Sequence, residues 1–437
     1  MRSVIFIQAL QRFGVFSTIQ SIISDRRISY GLLWSLLATL AGRSAGLISS
    51  IIISRLLGKE LFGEFSIIQS TILTFGVFAG FGAGLTATKH IAETFRSDPA
   101  RTGRILALTI ILTAAFGGVM TITLLLCSGL LSTQLLSSPQ LTTLLQIASV
   151  SLFATALSGT QSGALAGFEA FQWLSRVNIY SGIASIIAIT VGTIQYGLVG
   201  ALWGYNIAAV ISCFLGARAL RVVTREKGIF PDYRNCLREW SVLWRFSLPT
   251  MLADTLVTPA AWACNALLVN QPGGFSEMAT YNVVTQWRQL LLFLPGIAAQ
   301  VFLPIMASQT SGYRPESART LYLKINIIIA LPFLLGLSLL SPLIMALYGE
   351  SYTAQWPVFV VVQLATFAQI IQSPVITSWA ADGRMWTNLL ANGFWGAALI
   401  VLSWTLIKLG ALGLGLALLL SFLLYFVVIA VINRRKV

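Results

Sequence analysis

The sequence predicts an all-α polytopic membrane protein with twelve transmembrane helices in two six-helix lobes. Three observations predict it. Apolar residues make up 56% of the 437 and charged residues only 10%, with mean hydropathy +0.82. No polar stretch is long enough for a soluble domain. Apolar runs of about 20 residues, the length needed to cross a bilayer, recur along the chain. Basic residues also gather in every second loop.

Taken in order, the runs fall at 30–57, 64–88, 104–126, 141–167, 177–196, 198–220, 242–270, 277–306, 320–347, 355–380, 386–407 and 411–433. The N-terminus, the even-numbered loops and the C-terminus carry nearly all the Lys and Arg. The odd-numbered loops hold only Arg55, Lys59 and Lys408. Cytoplasmic loops accumulate Lys and Arg, so both termini are expected in the cytoplasm. The net charge of +14 is explained by the same rule, and a nucleic-acid partner is not expected. Residues 1–28, with Arg2 and Arg12 set among Val4, Ile5, Leu10, Phe13 and Phe16, suit an amphipathic helix on the cytoplasmic surface. The first lobe is expected over 29–220, a linker over 221–241 and the second lobe over 242–437.

The halves repeat. Phe62–Gln69 resembles Met278–Thr285 in pattern, Ala166-Gly167 matches Ala381-Asp382, and Gly197-Leu-Val-Gly200 matches Gly410-Ala-Leu-Gly413. The offsets are all close to half the chain. Six spans per half give both repeats the same orientation, related by a pseudo-two-fold axis along the membrane normal.

Several chemistries lack raw material. His90 is the single histidine, and Cys127, Cys213, Cys236 and Cys264 show no CxxC spacing, so neither a metal site nor a disulfide framework is expected. There is no Walker A motif, and Gly80-x-Gly82 does not extend to GxGxxG. Gly76-x3-Gly80-x3-Gly84 reads as helix packing. The outer loops offer only scattered carboxylates, so an enzyme is not expected.

Three charges stand inside spans: Arg43 in the first, Asp254 in the seventh and Arg288 in the eighth. An arginine at mid-bilayer costs roughly 2.5–3.5 kcal/mol on insertion scales, so such residues face a bundle interior or a watery cavity. Thr39, Arg43, Gly46, Ser50 and Ser54 share one helical stripe, and Asp254, Thr258, Trp262 and Asn265 recur at similar spacing. Both stripes are expected to wall a cavity. The alternative is an Arg–Asp pair that locks helices together. Arg43 and Arg288 suit a phosphate or pyrophosphate, whose oxygens a guanidinium matches bidentately. Asp254 could carry a coupling proton or sodium ion. No other cofactor is expected.

An ordered set of motifs carries a family resemblance: Arg55-Leu-Leu-Gly58 with Phe62-Gly-Glu-Phe65, then Gly84–Glu93, Ala164–Phe168, Phe246-Ser-Leu-Pro249, Ala279-Thr-Tyr281, Leu303-Pro304, and Ser341-Pro342 to Leu347-Tyr-Gly-Glu-Ser-Tyr352. The chain resembles the bacterial lipid-linked oligosaccharide flippases of O-antigen and capsule type, in the multidrug, oligosaccharidyl-lipid and polysaccharide exporter superfamily. Ala279 stands where relatives often have glycine. The resemblance implies a V-shaped pair of lobes around a cationic cavity in the bacterial inner membrane. It implies alternating access for a polyprenyl-pyrophosphate-linked glycan, with Arg43 and Arg288 on the pyrophosphate and Tyr281 in the polar lining. Membrane lipids, and polysaccharide polymerase machinery, are the other partners it suggests. A proton- or sodium-coupled multidrug exporter of the same fold is the alternative, and a membrane-embedded glycan polymerase or ligase a weaker one.

Overall fold

In hydrocarbon every backbone N–H and C=O must be paired within its own segment, and an apolar chain meets this condition as helix. A computed structural model of the protein describes residues 26–242, 247–307, 315–382 and 384–434, and each regular element in it is helical. The expected surface helix at 1–28 lies almost wholly outside the described residues, as do the side chains of Thr39 and Asp254.

The helices are α1 (Arg26–Gly80), α2 (Ala83–Thr94), α3 (Pro99–Leu130), α4 (Leu141–Gly167), α5 (Phe171–Glu226), α6 (Leu248–Val269), α7 (Gly274–Leu291), α8 (Phe293–Ala307), α9 (Pro315–Leu339), α10 (Ser341–Leu347), α11 (Glu350–Thr353), α12 (Trp356–Ala381), α13 (Met385–Leu406) and α14 (Gly410–Arg434). Seven stretches among the described residues are long and apolar enough to cross a membrane. Phe171–Glu226, at 56 residues, would reach about 84 Å if straight, far more than one crossing of ~30 Å. It turns back at Tyr196–Gly197, and α1 turns at Gly58. In order, the helices accommodate the twelve predicted passes. The second pass breaks at Phe81–Gly82 and continues as α2, the eighth is α7 plus α8, and the ninth is α9 plus α10.

The repeat extends to the backbone. Gly197 (φ 57°, ψ −135°) and Gly410 (φ 61°, ψ −138°) occupy the same left-handed conformation at matching turns. The linker departs from expectation. Helix α5 continues to Glu226, beyond the predicted end at 220, with Arg225 in its last turn, where a cation favours the helix dipole. The following segment is clamped to the start of α3. Glu239 receives Arg101 Nε at 3.1 Å and Arg104 Nη2 at 3.0 Å, and Asp232 N–H donates to the Gly103 carbonyl. The glycine stripe is also not one packing face. The helix breaks between Gly80 and Gly84, and Gly84 meets the backbone of Gly159 and Gly163 in α4, while Gly80 faces open space.

The halves meet closely where α1 passes α7. A Cβ on Gly63 would stand 1.8 Å from the Phe275 carbonyl oxygen, whereas one on Gly46, in the same helix, meets nothing within 4 Å. Gly63→Ala is therefore expected to destabilise the protein by about 1–3 kcal/mol through overpacking. Gly46→Ala should be neutral or stabilising by up to ~1 kcal/mol. Thermal unfolding in detergent checks both, and equal melting temperatures for the two variants would contradict the close approach.

Candidate functional site

A chamber of about 540 Å³ is lined mostly by the second half, with Gln69, Ser70, Leu73, Thr74 and Tyr205 of the first half on one side. Its walls come from α1 beyond the Gly58 turn, α5, α6, α7, α12, α13 and α14. Gln69–Thr74 of α1 line it about 16–24 Å below that turn, near the middle of a bilayer. A second chamber of about 290 Å³ adjoins it, lined by both parts of α1, by α5 and by α7. Gln69, Tyr205, Asn282 and Gln289 border both.

The predicted residues divide between these spaces. Arg288, Thr258, Trp262, Asn265 and Tyr281 line the larger chamber, while Arg43 and Ser50 line the smaller. Asp254 and Thr39 fall on α6 and α1, with their side chains outside the description. Among the described lining residues neither chamber carries an Asp or Glu, and the formal charge they contribute to each is that of one arginine.

Each guanidinium is held by a neutral oxygen. Arg43 Nη1 donates to the Gln289 carbonyl oxygen, and its guanidinium carbon sits 5.1 Å from the centroid of the Phe293 ring. This joins the first span to the eighth. Arg288 Nη2 donates to Gln369 Oε1 at 2.6 Å, while its Nε is buried without a hydrogen-bond partner among the described residues. A guanidinium has five N–H donors, so each arginine is oriented by the protein and keeps donors for an anion. Trp262 Nε1 donates to Thr71 Oγ1 at 2.9 Å, and Asn265 Nδ2 donates to Ser70 Oγ at 2.9 Å. The seventh-span stripe is therefore cross-linked to α1.

Sequence reasoning missed the α12–α14 wall, where Gln369, Gln372, Asn392, Trp395 and Tyr425 line the larger chamber. The signal was present as uncharged amides within apolar spans, but attention to charge alone passes over them.

At the Gly58 end the halves are hydrogen-bonded together. Arg55 Nε donates to the Leu347 carbonyl at 2.6 Å, at the C-terminal end of α10, where helix carbonyls lack internal partners. The Ser54 hydroxyl lies 2.8 Å from the Tyr352 hydroxyl and 3.2 Å from the Tyr348 carbonyl. Trp287 Nε1 reaches Tyr348 OH at 3.2 Å. The family-like stretch Leu347–Tyr352 thus joins α7 and α6 among the parts of the second half that close on α1.

Two helical halves that share a polar, cationic chamber and are hydrogen-bonded together at one end define a polytopic α-helical membrane protein. The fold is similar to that of the inward-facing form of a multidrug resistance MATE family transporter of the MOP superfamily, with TM-score 0.76 and 15% identity over 92% of this chain and 98% of that one. It is also similar to lipid II flippase MurJ in an inward closed conformation, with TM-score 0.72 and 16% identity over 92% of this chain and 87% of that one. The model of the polysaccharide biosynthesis protein family matches residues 29–310, and the chain belongs to that family. In sequence it is 24% identical to the EPS I polysaccharide export inner membrane protein EpsE of Ralstonia nicotianae, covering 87% of each.

Removing Ser54 Oγ and Tyr352 OH together (Ser54→Ala, Tyr352→Phe) deletes contacts worth about 1 kcal/mol each. Spin labels at the exposed Glu60 and Glu350 positions should then report a longer or broader distance distribution across the closed end. An unchanged distribution would mean that these contacts do not hold the halves shut.

Proposed function

We propose that the protein flips a polyprenyl-pyrophosphate-linked oligosaccharide from the cytoplasmic to the outer leaflet of a bacterial inner membrane, by alternating access, for surface polysaccharide biosynthesis. The observation that carries this reading is the pair of arginines at mid-membrane, one in each of two joined chambers, with no carboxylate among the described lining residues. A pyrophosphate has the charge and the acceptor oxygens that such guanidinium groups recognise. The polysaccharide export function named for the Ralstonia relative and the lipid II flippase activity named for the structural neighbour support a lipid-linked glycan as cargo.

The alternation of basic loops supports an orientation with both termini in the cytoplasm. On that orientation the Gly58 end faces outward, and toward the cytoplasmic side the Thr86 and Ser247 hydroxyls, 2.7 Å apart, also join the halves. Transport then requires the Ser54–Tyr352 end and the Thr86–Ser247 side to part in turn. In this reading Asp254, with a proton or sodium ion, couples or tunes the cycle. The cationic chamber disfavours a cationic drug as cargo, which would call for carboxylates.

The reading is tested in proteoliposomes with a fluorescent polyprenyl-pyrophosphate glycan. Arg43→Ala and Arg288→Ala should each slow translocation roughly ten- to a hundredfold, as expected for losing a hydrogen bond to a charged group. Lysine at either position should restore it only in part, because an ammonium lacks the bidentate fork. Normal rates in both alanine variants, each well inserted, would sink the pyrophosphate role.

A further inference from the structure

The larger chamber contains a second kind of chemistry that the arginines do not account for. Carboxamides on five helices line it, and besides Gln69 and Gln289, which it shares with the smaller chamber, they are Asn265 on α6, Asn282 on α7, Gln369 and Gln372 on α12, and Asn392 on α13. Each of these last five spends one end of its amide on the protein. Gln369 Oε1 accepts from Arg288 at 2.6 Å, and Gln372 Nε2 donates to the Phe422 carbonyl at 2.6 Å. Asn282 Oδ1 accepts from Gln286 Nε2 at 2.6 Å, Asn392 Oδ1 accepts from Tyr425 OH at 3.2 Å, and Asn265 Nδ2 donates to Ser70.

Two of these orientations are chemically forced. Arginine can only donate, so the Gln369 N–H₂ group must point away from Arg288; a carbonyl can only accept, so Gln372 must leave its oxygen over. Gln372 is 2% exposed, and that oxygen has no partner among the described residues. An unpaired polar group inside a membrane protein costs free energy, about 1–3 kcal/mol in proteins generally. The unpaired Gln372 oxygen is thus an acceptor held ready on the chamber wall, and each of the other four amides has only one end engaged in the contacts above. Preorganised groups that each offer a donor or an acceptor match a ligand bearing many hydroxyls, and uncharged amides match it without demanding charge.

We propose that Asn265, Asn282, Gln369, Gln372 and Asn392 form a saccharide subsite beside Arg288, which takes the first sugars following the pyrophosphate. This inference rests on the proposed transport function. Asn282 borders both chambers, which puts it where the anionic and sugar portions of such a ligand join. Arg288 has two tasks: it presents donors to the anion and fixes Gln369 for the sugar.

The test uses the full-length protein in lipid nanodiscs, read by tryptophan fluorescence, since Trp262 and Trp395 line the chamber. Three probes are titrated separately: inorganic pyrophosphate; a panel of free hexoses, N-acetylhexosamines, uronic acids and their disaccharides; and tetraphenylphosphonium. At least one sugar should bind saturably. Asn282→Ala and Asn392→Ala, on separate helices, should each weaken it roughly three- to tenfold, the size of one neutral hydrogen bond. Pyrophosphate affinity should stay within about twofold in Asn392→Ala and fall in Arg288→Ala. The subsite is overturned if no sugar binds, if both asparagine variants bind as tightly as the parent, or if tetraphenylphosphonium alone binds. Sugar binding through the amides without any pyrophosphate binding would instead overturn the anion reading and leave the subsite standing.

Discussion

The dominant constraint is that a guanidinium stays charged and cannot be left in hydrocarbon without oxygen partners. Arg43 meets this constraint at the Gln289 carbonyl and Arg288 at Gln369. Both solutions pull helices together around polar space. The first ties α1 to α7, and the second ties α7 to α12. The two chambers lie around those contacts and share Gln289 as a border. A polar cavity is therefore what the buried cations require, in addition to being a place for a ligand.

The two halves share a scaffold but differ in how they use it. In the first half helix backbones approach through small residues. Gly84 lies against Gly163, Gly192 against Gly200, and Gly204 against the Ala188 carbonyl, leaving no room for a Cβ at Gly163, Gly192, Gly200 or Gly204. Such packing resists local deformation and suits a body that moves as a unit. The second half shares the Gly197 and Gly410 turn geometry and the close approach beside it, Gly413 lying against the Leu406 carbonyl, and adds amides and aromatic rings around the chamber. Arg43 also lacks a basic counterpart, because the repeat offset reaches Pro259 and its uncharged neighbours Val257 and Thr258. Internal duplication accounts for the frame, and the departures from it mark the chamber.

Much of this frame was legible in the sequence. Runs of about 20 apolar residues give the passes, because hydrocarbon thickness sets their length. The match of Gly197 with Gly410 pointed to a shared turn, since only glycine adopts that conformation without strain. The breaks at Phe81–Gly82 and Leu292 were not legible, because an apolar run reads the same whether or not its helix is interrupted. Arg43, Arg288, Trp262 and Asn265 stood out because charge and polarity are rare in spans, and they do border the chambers. Their partners did not stand out. Arg43 takes a backbone carbonyl, which every residue possesses, and Arg288 takes Gln369, an amide 81 positions away. Long-range pairings of this kind depend on how helices pack, and no spacing within one helix encodes them.

The arrangement also connects the two arginines to the hydrogen-bonded end. Arg43, Ser54 and Arg55 lie on one helix, and Arg43 is about 17 Å along it from the seal. On the other side, Arg288 and Trp287 are adjacent in α7, and Trp287 donates to Tyr348 in the seal. The helices that carry the two cations are thus also bonded into the closed end. An anion drawing donors from both arginines would change the strain between α1 and α7, and helix is stiff enough to pass that change along three turns. No separate relay is then needed between chamber and seal. Under the transport reading, the binding energy of the charged group bears directly on the contacts that must part for release.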